Sequence, residues 1–473
     1  MSVGHTVRVT ALIVCCAAVI VPTFLLGART LSIGPVHLPA GSHMPAMGVI
    51  AAGLAVSVAL LLTGAQPHRR GERQHSPAGR WLVLGVLVLA LALDASKVAT
   101  LGFVMPGMRA EYGITASHAS LLAVAGLAGA ATGALTCGLL AGRVSRRSVV
   151  YFSALSFVGT ATCGAMPTFN GNLVMCAAMG FAVGGLVPVV VAQAAELAPA
   201  AHRGPTLVVF TVAGSTLGYL IASGTALLLN PLFGWRALWL AGAPTGVVLL
   251  ALTPLLPVTG TPAAPGRGSS GQPPTRWTTV YGLSWYAMVA GVLTLGLLTW
   301  LPSMARASGF EAHTVNAMLT TSAMWMLPAA PLLAVVYARL RAKRFAITIS
   351  LVATLTTAAT AVVLATSMPA WTFVLASASV LLACHAMTAL LLPVTADLHH
   401  PAVRARAGGL VSSGNRVGGL AGPILFSYAS HSVPLAALAT ALGGALALGA
   451  GAGLHALCPR GEVVAADGSG QGQ

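Results

Sequence analysis

Fourteen apolar stretches of about 20 residues each run through this chain, and a single carboxylate, Asp94, falls inside any of them away from its ends. A helix of that length crosses about 30 Å of hydrocarbon. Inside hydrocarbon every backbone N–H and C=O must be paired within the protein, which leaves helices or closed barrels. Continuous apolar runs, rather than alternation over about ten residues, select helices. The spans read as 9–27, 45–64, 81–106, 117–141, 148–167, 172–197, 204–229, 236–256, 278–303, 314–338, 344–366, 369–395, 406–430 and 433–457. The first lacks a strong basic n-region and a small-residue cleavage site, so it is read as a helix rather than a signal peptide. Charged residues are 7% of the chain and hydrophobic ones 56%, a surface that water could not solvate. The expected fold is an all-α polytopic membrane protein of 14 helices.

The net charge of +16 does not mark a nucleic-acid surface, because the basic residues cluster in short loops between apolar segments. With the N-terminus inside, 18 of the 24 Lys and Arg fall in inner segments. Four fall outside (Arg29, Arg109, Arg236, Arg306), and Lys97 and Arg416 lie within helices. That bias places both termini in the cytoplasm and the chain in the plasma membrane. The other acids, Glu72, Glu111, Glu196, Glu311, Asp397, Glu462 and Asp467, lie in loops, tails or helix ends. The seven cysteines have no CxxC spacing and read as small apolar fillers, so no metal or cofactor is expected.

The last twelve spans repeat. "AELAPAAHRG" after the sixth of them (Glu196, Pro199, Arg203) matches "ADLHHPAVRARAG" after the twelfth (Asp397, Pro401, Arg404), 201 residues on. "GRVSRR" at 142–147 and "ARLRAKR" at 338–344 lie about 196 apart. The division is an extra hairpin (1–70), a six-helix half (71–258), a Pro/Gly/Ser linker (259–276), a second half (277–458) and a tail (459–473).

These halves and loop motifs resemble the major facilitator superfamily of secondary transporters, over about 80–473. "GLLAGRVSRR" at 138–147 resembles the superfamily loop signature G-x-L-a-D-r-x-G-r-r, with Gly142 in place of Asp and Ser145 in place of Gly. "GFAVGGLVP" at 180–188 resembles the family's fourth helix, although no Arg stands near Cys176 and Ala177, and "GWR" at 234–236 resembles the entry to its sixth. "LDASKVATLGFVMPGMRAEYGI" at 93–114 and "DLHHPAVRARAGGLVSSGNRVGGLAGP" at 397–423 are similar to stretches of its aromatic-acid and metabolite/proton symporters. Where that subgroup carries two acids in its first helix, this chain has Asp94 and then Lys97. The resemblance implies a central cavity lined by the first, fourth, seventh and tenth helices.

Intramembrane charge is costly and rarely kept without a role, so Asp94 is the leading functional residue. Lys97 is three residues on, within reach of an ion pair. Two readings stand: a switched pair, in which an anionic substrate draws Lys97 off and Asp94 takes a proton, or a static pair that fixes packing. Arg416 suits a carboxylate but equally a carbonyl cap or a contact between halves. His385 is a candidate proton relay or ligand-orienting group, or a packed histidine. Gln193, Ser284, Trp285 and Tyr286 are candidate cavity walls; the aromatic rings equally suit an interfacial belt. Asn316, Thr320, Thr321 and Trp325 recur at helical spacing, which a helix contact explains as well.

Gating residues are expected at Gly138, Gly142, Arg143, Arg146 and Arg147, with Glu196 and Arg203, and Asp397 and Arg404, as the matching inner network. "VAGSTLGYLIASG" at 212–224 contains no Pro and does not match the family's antiporter motif. The basic linker at 66–80 suits anionic lipid, and the hairpin is a candidate docking element for a partner. The expected function is proton-coupled import of a small organic anion, a carboxylate. The alternatives are a proton-driven exporter of an apolar or cationic compound, and a transport-inactive receptor or assembly protein. No HExxH, GxSxG or nucleotide-binding loop is found, so an enzyme or a self-contained ATP-driven pump is not expected.

Overall fold

In a computed structural model of the chain, residues 3–31, 43–63, 77–139, 145–198, 203–256, 277–340, 342–366, 368–391, 394–395, 401–429 and 431–457 are described. Nearly all are helical: α1 (Val3–Thr30), α2 (His43–Thr63), α3 (Pro77–Tyr112), α4 (Ala116–Leu139), α5 (Arg146–Thr160), α6 (Phe169–Leu197), α7 (Arg203–Phe233), α8 (Trp235–Leu240) and α9 (Gly242–Leu252). There follow α10 (Trp277–Gly291), α11 (Leu298–Ala307), α12 (Ala312–Met326), α13 (Ala329–Arg339), α14 (Ala342–Ala365), α15 (Ala370–Ala389), α16 (Pro401–Ala429) and α17 (Val433–Leu457). A 3₁₀ turn extends α5 to Ala165, and a π-helical segment, Val292–Leu297, joins α10 to α11. Among the described residues, ten helices are long and apolar enough to cross a membrane, or eleven when α12 and α13, bent by 43°, form one span. The remaining expected segments are helical as α2, α4 and α16.

Two groups of six spans result: α3–α9, in which α8 and α9 form one span, and α10–α17, in which α10–α11 and α12–α13 each form one. Apolar surface gives little drive for helices to associate within lipid, so close approach of backbones does that work. A Cβ on Gly133 of α4 would collide with the carbonyl of Phe181 on α6, and one on Gly180 with that of Gly126. In the second half, Gly418 of α16 is pressed against the Met288 carbonyl of α10 in the same way. Across the halves, α7 packs on α12 and α13, α4 on α16, and α11 along α3. The last contact is tight, with Gly102 of α3 against the backbone carbonyl of Thr299. It lies toward the end of the bundle that carries Gly113 and Gly309, here called the distal end.

The repeat is also visible at that end. Pro106, Met108 and Gly113 recur as Pro302, Met304 and Gly309, each 196 residues on. Both glycines have positive φ, 64° and 94°. Both helices close with matching bonds, Ile114 N–H to Arg109 O (3.2 Å) and Phe310 N–H to Ala305 O (3.4 Å). This is the glycine-capped helix end that leaves orphan carbonyls satisfied.

The extra helices α1 and α2 dock on the first half. Cys16, Val19 and Ile50 pack with Leu155, Val158, Ala161 and Ala243, and Cys16 Sγ lies 3.0 Å from Tyr151 OH. At the distal end, Arg236 donates to the carbonyls of Gly164 and Met166 (both 2.9 Å) and to Glu111 (2.5 Å), and Trp235 Nε1 donates to Glu111 (2.7 Å). That network ties α3, the 3₁₀ turn and α8 together.

Gly133→Leu is expected to destabilise the protein by about 1–3 kcal/mol through overpacking. The readout is a lowered melting midpoint of detergent-solubilised protein. Gly85→Leu, whose Cβ direction is open, serves as the neutral comparison. Equal midpoints for the two variants would remove the α4–α6 backbone contact as a stabilising element.

Candidate functional site

Asp94 stands at the middle of the 36-residue α3, about 26 Å from either end at 1.5 Å per residue. It is 6% exposed, and its Oδ1 has no hydrogen-bond partner. Among the described residues no ion pair joins it to Lys97. Residues at i and i+3 diverge by about 60° around a helix, and Lys97 uses that divergence to enter the first half. Its Nζ lies 3.4 Å from Thr245 Oγ1 on α9 and 5.6 Å from the centre of the Phe157 ring on α5. Gly242 makes room for it, since a Cβ there would overlap Nζ. The expected pair is therefore two separately placed charges.

The two halves meet instead through a pair that the sequence reading had half identified. His385 of α15 and Tyr219 of α7 face each other edge to face, ring centres 6.4 Å apart, and Phe103 of α3 lies 5.8 Å from Tyr219 on another side. The Tyr219 hydroxyl and His385 Nε2 are buried and have no hydrogen-bond partner. The same is true of Thr216 Oγ1, one turn before Tyr219, and of both amide atoms of Gln193 on α6. A buried polar atom without a partner is costly, and natural proteins leave few. Tyr219 and Thr216 were missed because "VAGSTLGYLIASG" was weighed as a signature; their i, i+3 spacing in an apolar helix was the available signal.

The surrounding helices are braced at this level. Thr294, in the π-helical segment, donates to the Cys384 carbonyl (3.1 Å) and lies 2.9 Å from Thr388 Oγ1, so the segment is tied to α15 beside His385. Such segments inside α-helices often mark functional sites. Arg416 is half-buried, and its Nη1 lies 3.4 Å from the Ala130 carbonyl of α4, a contact between halves. Asn316 makes another, from Nδ2 to the Ala226 carbonyl of α7 (3.1 Å).

Other candidates lie apart from this group. Trp285 is 39% exposed and sits beside Gly453 of α17. Tyr286 is buried with Ser350 beside its hydroxyl, and the Ser284 backbone packs on Gly414 of α16. Thr320 and Thr321 bond back to their own helix, and Trp325 is exposed. Arg147 lies in the first turn of α5, and Glu196 is exposed near the end of α6. Gly142, Arg143 and Asp397 lie outside the described residues, as do the side chains of Arg146, Arg203 and Arg404 and the surroundings of Gly138.

The arrangement offers a carboxylate oxygen, a phenol, an imidazole nitrogen, a hydroxyl and an amide that have no hydrogen-bond partner among the described residues. They lie on four helices, and Tyr219 and His385 join the two halves. That suits a small polar solute held between the halves, as in transporters whose site lies near the midplane at the repeat interface.

Comparison with known proteins agrees with this architecture. The chain resembles the solved D-xylose-proton symporter (TM-score 0.64, 15% identity, 80% of this chain and 98% of that one). It also resembles a bacterial homologue of the lysosomal transporter Spinster (TM-score 0.54, 16% identity, 81% and 96%). Curated relatives include the 4-hydroxybenzoate transporter of Acinetobacter baylyi, 29% identical over 37% of this chain and 38% of the relative. The gallate transporter of Pseudomonas putida is 30% identical over 38% and 39%, and the niacin transporter of Acinetobacter baylyi 27% over 39% and 42%. The chain thus spans about two fifths of the length of these relatives. Residues 87–423 match the family model of the Major Facilitator Superfamily, and with its two six-helix halves the chain belongs to that superfamily of transporters.

Proposed function

We propose that the protein carries a small organic anion, a carboxylate, across the plasma membrane by proton-coupled alternating access, in the direction of uptake. The observation that carries this reading is Asp94: a buried carboxylate at mid-helix, with no cation paired to it among the described residues. A bare charge is expensive at that depth. A carboxylate without a partner can shed its charge by taking a proton, so the loaded carrier crosses between its two open states with that charge removed. The relatives are transporters of 4-hydroxybenzoate, gallate and niacin, all aromatic acids, which supports a carboxylate here.

The cycle follows from the geometry. Solute enters between the halves and meets the Tyr219 hydroxyl and His385 Nε2 from opposite sides. Bridging them favours closure of the halves, since each polar atom is costly while unpartnered. Arg416, held to the Ala130 carbonyl, is a hinge contact in this reading and becomes a substrate ligand only when the halves separate. With the distal end facing outward, the Gly102–Thr299 contact closes the outer side. The loop arginines Arg143, Arg146 and Arg147, with Glu196 and Asp397, are proposed as the latch on the inner side. Lys97, buried within the first half, is read as a packing cation.

Asp94→Asn is expected to retain benzoate binding within about threefold and to lose accumulation against a gradient. The test is labelled benzoate uptake into proteoliposomes that carry an internal pH dye. Uphill accumulation by this variant would end the coupling role. Tyr219→Phe and His385→Ala should each weaken half-saturation about tenfold, the scale of one lost hydrogen bond to a charged group. Lys97→Met should keep coupled uptake within about threefold, because an apolar residue of similar length fills the same pocket. A Lys97→Met protein that is folded but uncoupled would return the lysine to the site.

A further inference from the structure

We infer that Arg109, Ser303 and Arg306 form an anion site at the distal mouth, straddling the two halves, where the carboxylate of the transported solute is received before it reaches the midplane. The identity of that anion rests on the function proposed above; the site itself rests on the following geometry.

The helices α3 and α11 pack together with Gly102 against the Thr299 backbone. Arg109 lies seven residues beyond Gly102, and Arg306 seven beyond Thr299. Seven residues are about two helical turns, so each arginine stands on the face that its helix turns toward the other. Ser303 lies between Thr299 and Arg306 on the same face of α11, one turn from each. It is 7% exposed, and its hydroxyl has no partner. Arg109 Nε, Arg306 Nε and Arg306 Nη2 are also buried without a partner. Along this strip of contact between the halves, none of these donors has an acceptor among the described residues.

Among the described residues neither arginine has an ion-pair partner. Of the nearby acids, Glu111 is engaged by Arg236 and Trp235, and Glu311 is exposed at the start of α12 with no ion pair to either arginine among the described residues. Arg236 shows what a structural arginine at this end looks like, with two carbonyls and a carboxylate around it. Arg109 and Arg306 have nothing comparable. Arginine is disfavoured in short outer loops, and two guanidinium groups brought together by closure repel. A carboxylate between them removes the repulsion and takes up the free donors in the fork geometry that arginine favours. Closure of this mouth is then favoured by an anion and opposed without one.

The test uses the full chain in proteoliposomes. Arg109→Gln and Arg306→Gln should each raise the half-saturation concentration for benzoate about fivefold to tenfold, with the maximal rate within about twofold, and lysine at either position should restore part of the loss. A second arm does not depend on transport. A cysteine at the exposed Ala110 is modified from outside by an anionic or a cationic methanethiosulfonate, against the parent chain as background. Faster reaction of the anionic reagent, reduced about fivefold in the Arg109→Gln/Arg306→Gln double variant, supports the site. An unchanged preference overturns it. A reduced preference with unaltered benzoate kinetics overturns it as a substrate site and assigns the anion to lipid or buffer. If the parent transports no carboxylate, the function proposed above falls, and the thiol arm alone then judges whether the arginines bind anions.

Discussion

A backbone amide or carbonyl in hydrocarbon has no water to bind, so every such group in the bundle must be paired within its own helix. Once that is met, lipid is as apolar as the side chains it replaces, and helices gain little by turning apolar faces to one another. What holds this protein together is contact at backbone distance. Glycines at 126, 133 and 180 let α4 and α6 touch carbonyl to Cα, and Gly418 does the same between α10 and α16. The halves are built by this means and joined by contacts of both kinds, Gly102 against the Thr299 carbonyl and Arg416 to the Ala130 carbonyl.

The same solvent constraint gives the site its character. Polar atoms left unpartnered in such a medium are costly, yet several lie on α3, α6, α7 and α15, with Tyr219 and His385 meeting across the seam. By contrast, most threonines and serines in these helices spend their hydroxyls on the carbonyl three or four residues back, as Thr320 does with Asn316. Thr216, Tyr219 and His385 are exceptions, and on the proposed reading they are the groups offered to a solute. The π-helical segment tied to α15 by Thr294 places an irregular stretch of helix beside His385, where a shift between two packings would be felt by both halves.

The extra helices α1 and α2 add a different kind of contact. They cover the outer surface of α5 and α9 with Val19 and Ile50, opposite Val158, Ala161 and Ala243. Ala161 and Gly242 also border the pocket of Lys97. The hairpin is therefore one side-chain layer away from the buried lysine, and it thickens the first half between that charge and lipid.

Apolar runs, loop charges and the recurring inner motifs were enough to establish a helical membrane bundle of two related halves, because those features answer to bilayer thickness and to short-range periodicity. Asp94 was legible for the same reason: a charge in an apolar run stands out whatever its neighbours are. The direction of each side chain was not legible. Spacing of i to i+3 put Lys97 within reach of Asp94, but the space beside Gly242 and the Thr245 hydroxyl drew it the other way. Trp285 and Tyr286 are adjacent in sequence, yet one lies at the surface beside Gly453 and the other is enclosed. Tyr219 and His385 are 166 residues apart and on different halves, so no local pattern could pair them. Period and composition are local properties of the chain, and they determine which segments become helices. Which face of a helix meets which neighbour depends on the packing of all of them together, and that only the tertiary structure decided.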